Sequence, residues 1–170
     1  MKIFISAPRE KEKFIKCVKE VAHERNDEVI FCPDQFRELR DKQLLDKVIR
    51  ELETSHLVLM DVSMKKFDDE WYPNPGVMIE FGLVVKDITK GLGFVYMFCD
   101  QNTDRNQLPP LIPRIEVIQY SEDNEDELKN LIRTALQKFE KDVPEMLRQA
   151  LQAKGAIELV YRTSQTSYTR

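Results

Sequence analysis

The chain has 170 residues, 42% of them hydrophobic and 33% charged, and it carries a formal net charge of −4. This length allows one domain with a good core, and the slight acidic excess argues against a basic nucleic-acid-binding face. No apolar run approaches the roughly 20 residues of a membrane span, and the first residues lack the pattern of a secretory signal. We therefore expect a cytoplasmic protein with neither nucleic acid nor membrane as a partner.

Three scattered cysteines, Cys17, Cys32 and Cys99, show no metal-binding spacing, and the chain has only two histidines. Thiols in this arrangement are typical of buried side chains in a reducing compartment. We expect no metal site and no required cofactor.

The first third of the chain alternates short apolar runs with amphipathic segments. The apolar runs over residues 2–7, 28–32 and 56–60 predict strands. Between them, apolar residues recur every three or four positions, which predicts helices over residues 10–25 and 36–52.

The rest of the chain continues the alternation after an irregular stretch rich in charge and aromatics. We predict a loop over residues 63–75 and a helix over 76–90. Two strands follow over 94–99 and 115–120, and a long helix over 125–154. Pro144 predicts a break in the last helix near Asp142, because proline disfavours a helix interior. Residues 157–161 predict a short strand, and 161–170 a flexible tail.

Alternating strands and helices predict an α/β fold with a parallel sheet and helices on both faces. Five strands of this kind fit a flavodoxin-like or Rossmann-like sheet with the order 2-1-3-4-5. We expect a single domain over residues 1–160.

Open parallel sheets bind ligands beyond the carboxyl ends of their strands, where the strand order reverses. In this chain that point lies between the first and third strands. The residues expected there are Ser6, Ala7, Pro8 and Arg9 after the first strand, Asp61 after the third, Trp71, Tyr72 and Asn74 in the long loop, and Glu80 in the helix that follows.

These residue types suit a nucleoside or nucleotide. Carboxylates such as Asp61 and Glu80 accept hydrogen bonds from ribose and stabilise a cationic sugar carbon. An aromatic side chain, Trp71 or Tyr72, would stack on a base, and Arg9 would meet a phosphate. Each residue also has an ordinary structural interpretation, as a solvated helix-start carboxylate, a turn residue, a cover for the sheet edge or a surface charge. Their convergence at one edge favours a binding site.

Three segments carry a resemblance to known families, together covering about residues 2–136. They read KIFISAP, HLVLMDVSMKKFDDEWYPNPGVMIEFGLVV and LPPLIPRIEVIQY. This pattern resembles the TIR-like (Toll/interleukin-1 receptor-like) predicted nucleotide-binding domains and is also similar to the nucleoside 2-deoxyribosyltransferases. The resemblance implies that Glu80 is the catalytic residue and that Asp61 matches the aspartate ending the third strand.

Two departures distinguish the candidate families. The transferases carry an aspartate six positions before the glutamate, where this chain has Asn74, and this favours the TIR-like alternative. TIR-like sequences usually have asparagine where Gly76 stands and an aromatic residue where Ile79 stands.

The resemblance implies cleavage of an N-glycosidic bond, in NAD or a related nucleotide, by a homo-oligomer. Two alternatives stay open. One is a nucleoside 2-deoxyribosyltransferase, and the other is a non-catalytic module for nucleotide sensing or assembly.

Overall fold

The computed structural model describes residues 1–35, 41–67, 70–89, 94–109, 112 and 116–144. Its elements, in chain order, are β1 (Lys2–Ser6), α1 (Glu12–Glu24), β2 (Glu28–Ile30), α2 (Cys32–Gln35), α3 (Asp41–Thr54), β3 (Leu57–Asp61), β4 (Met64–Phe67), β5 (Glu70–Pro73), α4 (Pro75–Thr89), β6 (Val95–Asp100), a 3₁₀ turn (Arg105–Gln107), β7 (Val117–Tyr120) and α5 (residues 125–144).

Five parallel strands form the central sheet in the order β2-β1-β3-β6-β7. Counted along the main sheet, this is the predicted order 2-1-3-4-5, which is confirmed. Strand β1 pairs with β3 in register from Ile3 opposite Leu57 to Ser6 opposite Met60. The two strands therefore end side by side at the carboxyl edge.

Helices cover both faces of the sheet because successive strand side chains point to opposite faces. In β1, Ile3 and Ile5 pack into one core cluster with α1 and α5, while Phe4 packs into a second cluster with α3 and α4. The two-sided covering explains why the strands are continuous apolar runs instead of alternating ones.

The predicted irregular loop over residues 63–75 is wrong in one respect. Strands β4 and β5 pair as an antiparallel hairpin, with Lys65 opposite Tyr72. Aromatic residues favour strands, but the lysines, acidic residues and proline among them hide the pattern in the sequence. The hairpin is a small separate sheet that precedes α4.

Several details of the helices and strands also differ from the sequence-based expectations. Strand β2 ends at Ile30, and a short helix, α2, begins at Cys32; part of the predicted helix over residues 36–52 lies outside the described residues. The predicted break near Asp142 does not occur, because α5 runs unbroken to residue 144 with Val143 packed on the core. The predictions for residues 145–170 lie outside the described residues.

The three cysteines are buried and form no disulfide with one another, in agreement with the expectation of buried thiols. Within the described ranges, no helix combines the length and apolar character that crossing a membrane requires. In those same ranges, no group of three His, Cys, Asp or Glu side chains is placed to hold a metal ion.

Candidate functional site

A hydrogen bond joins two distant segments at the carboxyl edge of the sheet. Ser6 is the last residue of β1 and is fully buried. Its Oγ donates to Oε2 of Glu80 at a distance of 2.5 Å. The bond ties strand β1 to helix α4 through two residues that are 74 positions apart in the chain.

Helix α4 presents Glu80 toward the sheet. Its N-terminus is capped by Asn74, whose Oδ1 accepts from the backbone N–H groups of Gly76 at 2.9 Å and Val77 at 3.2 Å. Residues three or four positions apart share one face of a helix, so Glu80 lies on the same stripe as the buried Val77 and Val84. A carboxyl group therefore takes a position that helix packing normally gives to an apolar side chain.

This position changes the acidity of Glu80. Burial raises the pKa of its carboxyl group to about 7, against an ordinary value of 4.5, and the hydrogen bond from Ser6 partly opposes the rise. Burial dominates because the ionised form loses its hydration. Near neutral pH the carboxyl group therefore exists in both protonation states, a property common at catalytic sites.

A cavity of about 180 Å³ opens in front of Glu80, and we call it the Glu80 cavity. It brings together five of the residues expected at this edge. Its walls are formed by Ile5, Ala7, Pro8, Arg9, Phe31, Pro33, Asn74, Gly76, Val77 and Glu80. The exposed Arg9 stands at its rim, where Nη2 donates to the carbonyl oxygen of Pro33 at 3.2 Å.

A larger cavity of about 390 Å³ adjoins the first, and we call it the hairpin cavity. Its walls are formed by Pro8, Glu10, Lys11, Ser63, Met64, Lys65, Tyr72, Pro73, Asn74, Pro75 and Glu122. Pro8 and Asn74 line both cavities, so the two form one cleft. Its volume falls in the range of about 300–1,000 Å³ that small-molecule sites occupy.

The two aromatic candidates separate on strand β5. Tyr72 lines the hairpin cavity, whereas Trp71 does not line either part of the cleft and is 38% exposed. Adjacent strand residues point to opposite faces, which explains the difference. Of the two, Tyr72 is the residue placed to contact a ligand in the cleft.

Asp61 is placed differently from the expectation that its carboxylate faces the opening. It is fully buried, where one oxygen accepts from the hydroxyl of Tyr120 at 2.5 Å and the other from the backbone N–H of Ser63 at 2.9 Å. Burial raises the pKa of Asp61, although Tyr120, Lys11 and Ser63 act to lower it. Both oxygens are engaged below the cleft, so Asp61 stabilises the sheet edge from inside.

The wall of the hairpin cavity contains an ion-pair cluster that was not predicted from the sequence. The ammonium group of Lys11 pairs with Asp100 at the end of β6 and with Glu122 just after β7, the latter at 2.5 Å. Burial acts to lower the pKa of Lys11, but the two carboxylates outweigh it and the pKa is raised. Open parallel sheets bind ligands beyond the carboxyl ends of their strands, and Asp100 and Glu122 stand at the carboxyl ends of β6 and β7. This rule could therefore have identified both acidic residues from the sequence.

No protein-family model matches the chain, and no curated protein matches it in sequence. Among solved structures, the CMP N-glycosidase BcmB of Clostridium botulinum is similar with a TM-score of 0.53 at 18% identity, over 77% of this chain and 97% of that one. The two chains share one fold. The fold that the resemblance implied is thereby confirmed, and its TIR-like part stays a prediction.

Two further structures match at lower TM-scores. The 2-desoxiribosyltransferase from Leishmania mexicana has a TM-score of 0.45 at 16% identity, over 58% of this chain and 63% of its own. The flavodiiron protein from Giardia intestinalis has a TM-score of 0.45 at 11% identity, over 83% of this chain and 37% of its own. Similarity at this level does not bear on the site.

The buried pair of Tyr120 and Asp61 yields a prediction about stability. The variant Tyr120→Phe removes the hydroxyl group, so one buried carboxylate oxygen of Asp61 loses its hydrogen-bond donor. We expect the free energy of unfolding to fall by about 1–3 kcal/mol in urea titrations. The matched control Tyr96→Phe, at a partly exposed position on β6, should change it by less than about 0.5 kcal/mol. Equal stability of Tyr120→Phe and wild type would contradict this role for Asp61.

The raised pKa of Glu80 yields a second prediction. The folded protein binds this proton more tightly than the unfolded chain, so Glu80 favours folding at low pH, and that benefit is lost as the pH rises from 4.5 through about 7. Glutamine does not ionise, so its contribution to the free energy of unfolding does not change over this pH range. Between pH 5 and pH 8, the stability of Glu80→Gln should therefore rise by about 1–3 kcal/mol relative to wild type.

The measurement is urea unfolding of both proteins at the two pH values. Glu116→Gln is a suitable control because Glu116 is an exposed residue just before the amino end of β7, at the opposite edge of the sheet. A pH trend in the control as large as that in Glu80→Gln would mean that burial of Glu80 is not its cause.

Proposed function

We propose that this protein cleaves the N-glycosidic bond of a nucleotide, with Glu80 as the catalytic carboxylate. The observation that carries the proposal is the half-buried carboxyl group of Glu80, which accepts a hydrogen bond from Ser6 and lines the Glu80 cavity. The larger hairpin cavity adjoins it. The fold shared with a CMP N-glycosidase supports the same assignment.

The chemistry needs one negative charge beside the sugar. When the bond between the anomeric carbon and the base nitrogen breaks, the electron pair leaves with the base and the sugar becomes oxocarbenium-like. An ionised Glu80 below the ring would stabilise this positive charge or attack the carbon directly. Water then completes hydrolysis, or a second base completes transfer. The partly apolar setting strengthens the attraction, because fewer water molecules screen it.

The adjoining cavities suggest where each part of the substrate lies. The reacting ribose would lie in the Glu80 cavity, where its anomeric carbon would be next to the carboxyl group of Glu80. The base fits the hairpin cavity, which has apolar walls from Met64, Pro73 and Tyr72, with Tyr72 placed to contact its ring. Asn74 lies between the two, as expected of a residue near the glycosidic bond.

Product analysis separates the candidate activities. Wild-type protein is incubated separately with NAD, with CMP and other nucleoside monophosphates, and with a deoxynucleoside plus adenine, and the products are resolved by chromatography. Release of a free base indicates the glycosidase. A new deoxynucleoside indicates the transferase, and thermal stabilisation without product indicates a binding module.

The variant Glu80→Gln tests the role of the carboxylate. It should lower the turnover of the cleaved nucleotide by about 10²–10⁴-fold while keeping the fold, because glutamine has similar shape and no charge. Glu116→Gln, at the opposite edge of the sheet, should retain the wild-type rate. Wild-type turnover by Glu80→Gln would refute the proposed function.

A further inference from the structure

One carboxylate that lines the hairpin cavity is held in place by both its side chain and its backbone. Glu122 follows β7 at the carboxyl edge of the sheet. Its Oε1 accepts from the ammonium group of Lys11 at 2.5 Å, and its backbone carbonyl oxygen accepts from Nζ of Lys13 at 2.9 Å. Lys11 is itself fixed by a second ion pair, with the buried Asp100. The side chain of Glu122 is nevertheless 44% exposed, so a ligand in the cavity can reach its carboxylate.

We propose that Glu122 determines which base the cleft accepts, because its second carboxylate oxygen, Oε2, accepts a hydrogen bond from an amino group on the base. The preferred base therefore carries an exocyclic amino group, and its counterpart with a keto oxygen at the same position is disfavoured. This inference rests on the proposed function and assigns a specificity-determining residue to the same cleft.

The selectivity follows from the hydrogen-bonding capacity of a carboxylate. An ionised carboxylate accepts hydrogen bonds and does not donate them. Because Lys11 bonds to Oε1 of Glu122, an amino group of the base would donate to Oε2 in a charge-assisted bond. A keto oxygen in the same place would face a negative charge with no proton between the two oxygens. A site that bonds one polar group of its substrate rejects an analogue that lacks the group, because a polar group of the site then loses its partner.

The other charged side chains of the hairpin cavity are less suited to this role. Lys11 is only 15% exposed and donates to two carboxylates. Lys65 and Glu10 form an ion pair at 3.2 Å, but both side chains are exposed. An ion pair between two exposed side chains does little to fix either of them. Among the charged side chains that the structure describes in this cavity, Glu122 combines an accessible carboxylate with a fixed position.

The surroundings of Glu122 suit a base. The hairpin supplies apolar walls from Met64, Tyr72 and Pro73, which would contact the faces of the ring. Ligand sites of this kind are mainly apolar, and a few fixed polar groups determine their specificity. Glu80 lines its own cavity and Glu122 lines the hairpin cavity, so the two carboxylates would serve the sugar and the base separately.

The test compares nucleotides whose bases carry either an amino group or a keto oxygen at one position. The pairs are CMP with UMP, and AMP with IMP, bound to Glu80→Gln protein so that cleavage does not interfere. We expect the amino member of at least one pair to bind at least about tenfold more tightly, since one base contact contributes about 1–3 kcal/mol of discrimination. The affinities are measured by ligand-dependent thermal stabilisation.

Adding Glu122→Gln to this protein distinguishes base recognition from structural support. The amide oxygen of glutamine can still accept from Lys11, which leaves an NH₂ group in place of Oε2. That group donates, so the preference for the amino member should disappear or reverse, whereas loss of a purely structural residue would weaken both members alike. The matched control is Glu10→Gln, which changes another lysine-paired carboxylate of the same cavity and should preserve the preference.

Three results would overturn the inference. The first is equal binding, or no binding, of both members in both pairs. The second is a preference that Glu122→Gln leaves unchanged, and the third is a preference that Glu10→Gln removes equally well.

Turnover by wild-type protein keeps this question apart from the proposed function. If the amino and keto members of each pair are cleaved with equal kcat/KM, the inference fails and the glycosidase stands. If no nucleotide is cleaved but the binding preference that depends on Glu122 is present, the glycosidase fails and the role of Glu122 in base recognition stands.

Discussion

The hydrogen bond from Ser6 to Glu80 determines the arrangement of the cleft. It forms because a parallel sheet brings the end of β1 beside β3 and the helix that follows the hairpin. The capping of α4 by Asn74 sets where the helix starts, and the helical repeat then turns Glu80 toward the sheet. A carboxyl group in this position costs stability when ionised. The same burial gives the site a carboxyl group that titrates near neutral pH, which is a property common at catalytic sites.

Polar side chains below the cleft hold this edge together. Asp61 and Tyr120 connect β3 to β7 across the intervening β6, and Lys11 connects the start of α1 to the ends of β6 and β7. Ser63 accepts from the backbone N–H of Asp100, which fixes the chain as it enters the hairpin. These contacts join the loops that form the cleft to the rigid sheet. Such support for a site is what keeps catalytic groups within a narrow range of positions.

The sequence predicted the sheet because its apolar runs are long, regular and separated by amphipathic helices. It also predicted the position of Glu80, because the edge where strand order reverses follows from the topology. It did not predict the hairpin, whose aromatic residues are mixed with charges, or the burial of Asp61, which depends on Tyr120 arriving from 59 residues away. Lys11 has the appearance of a surface lysine in the sequence, and only the fold brings two carboxylates to it. Local patterns specify elements, whereas these pairings are contacts between distant residues.

The pH dependence of kcat/KM in wild type and in Ser6→Ala tests most directly whether the carboxyl group of Glu80 performs the chemistry. For the wild type, activity should rise with pH and reach half its maximum near pH 7, because only the ionised carboxylate stabilises the sugar cation. Removing the Ser6 hydroxyl takes away the hydrogen bond that lowers the pKa of Glu80, so the rise should move to higher pH on the same substrate. Profiles that coincide, or that show no rise near neutral pH, would contradict the account.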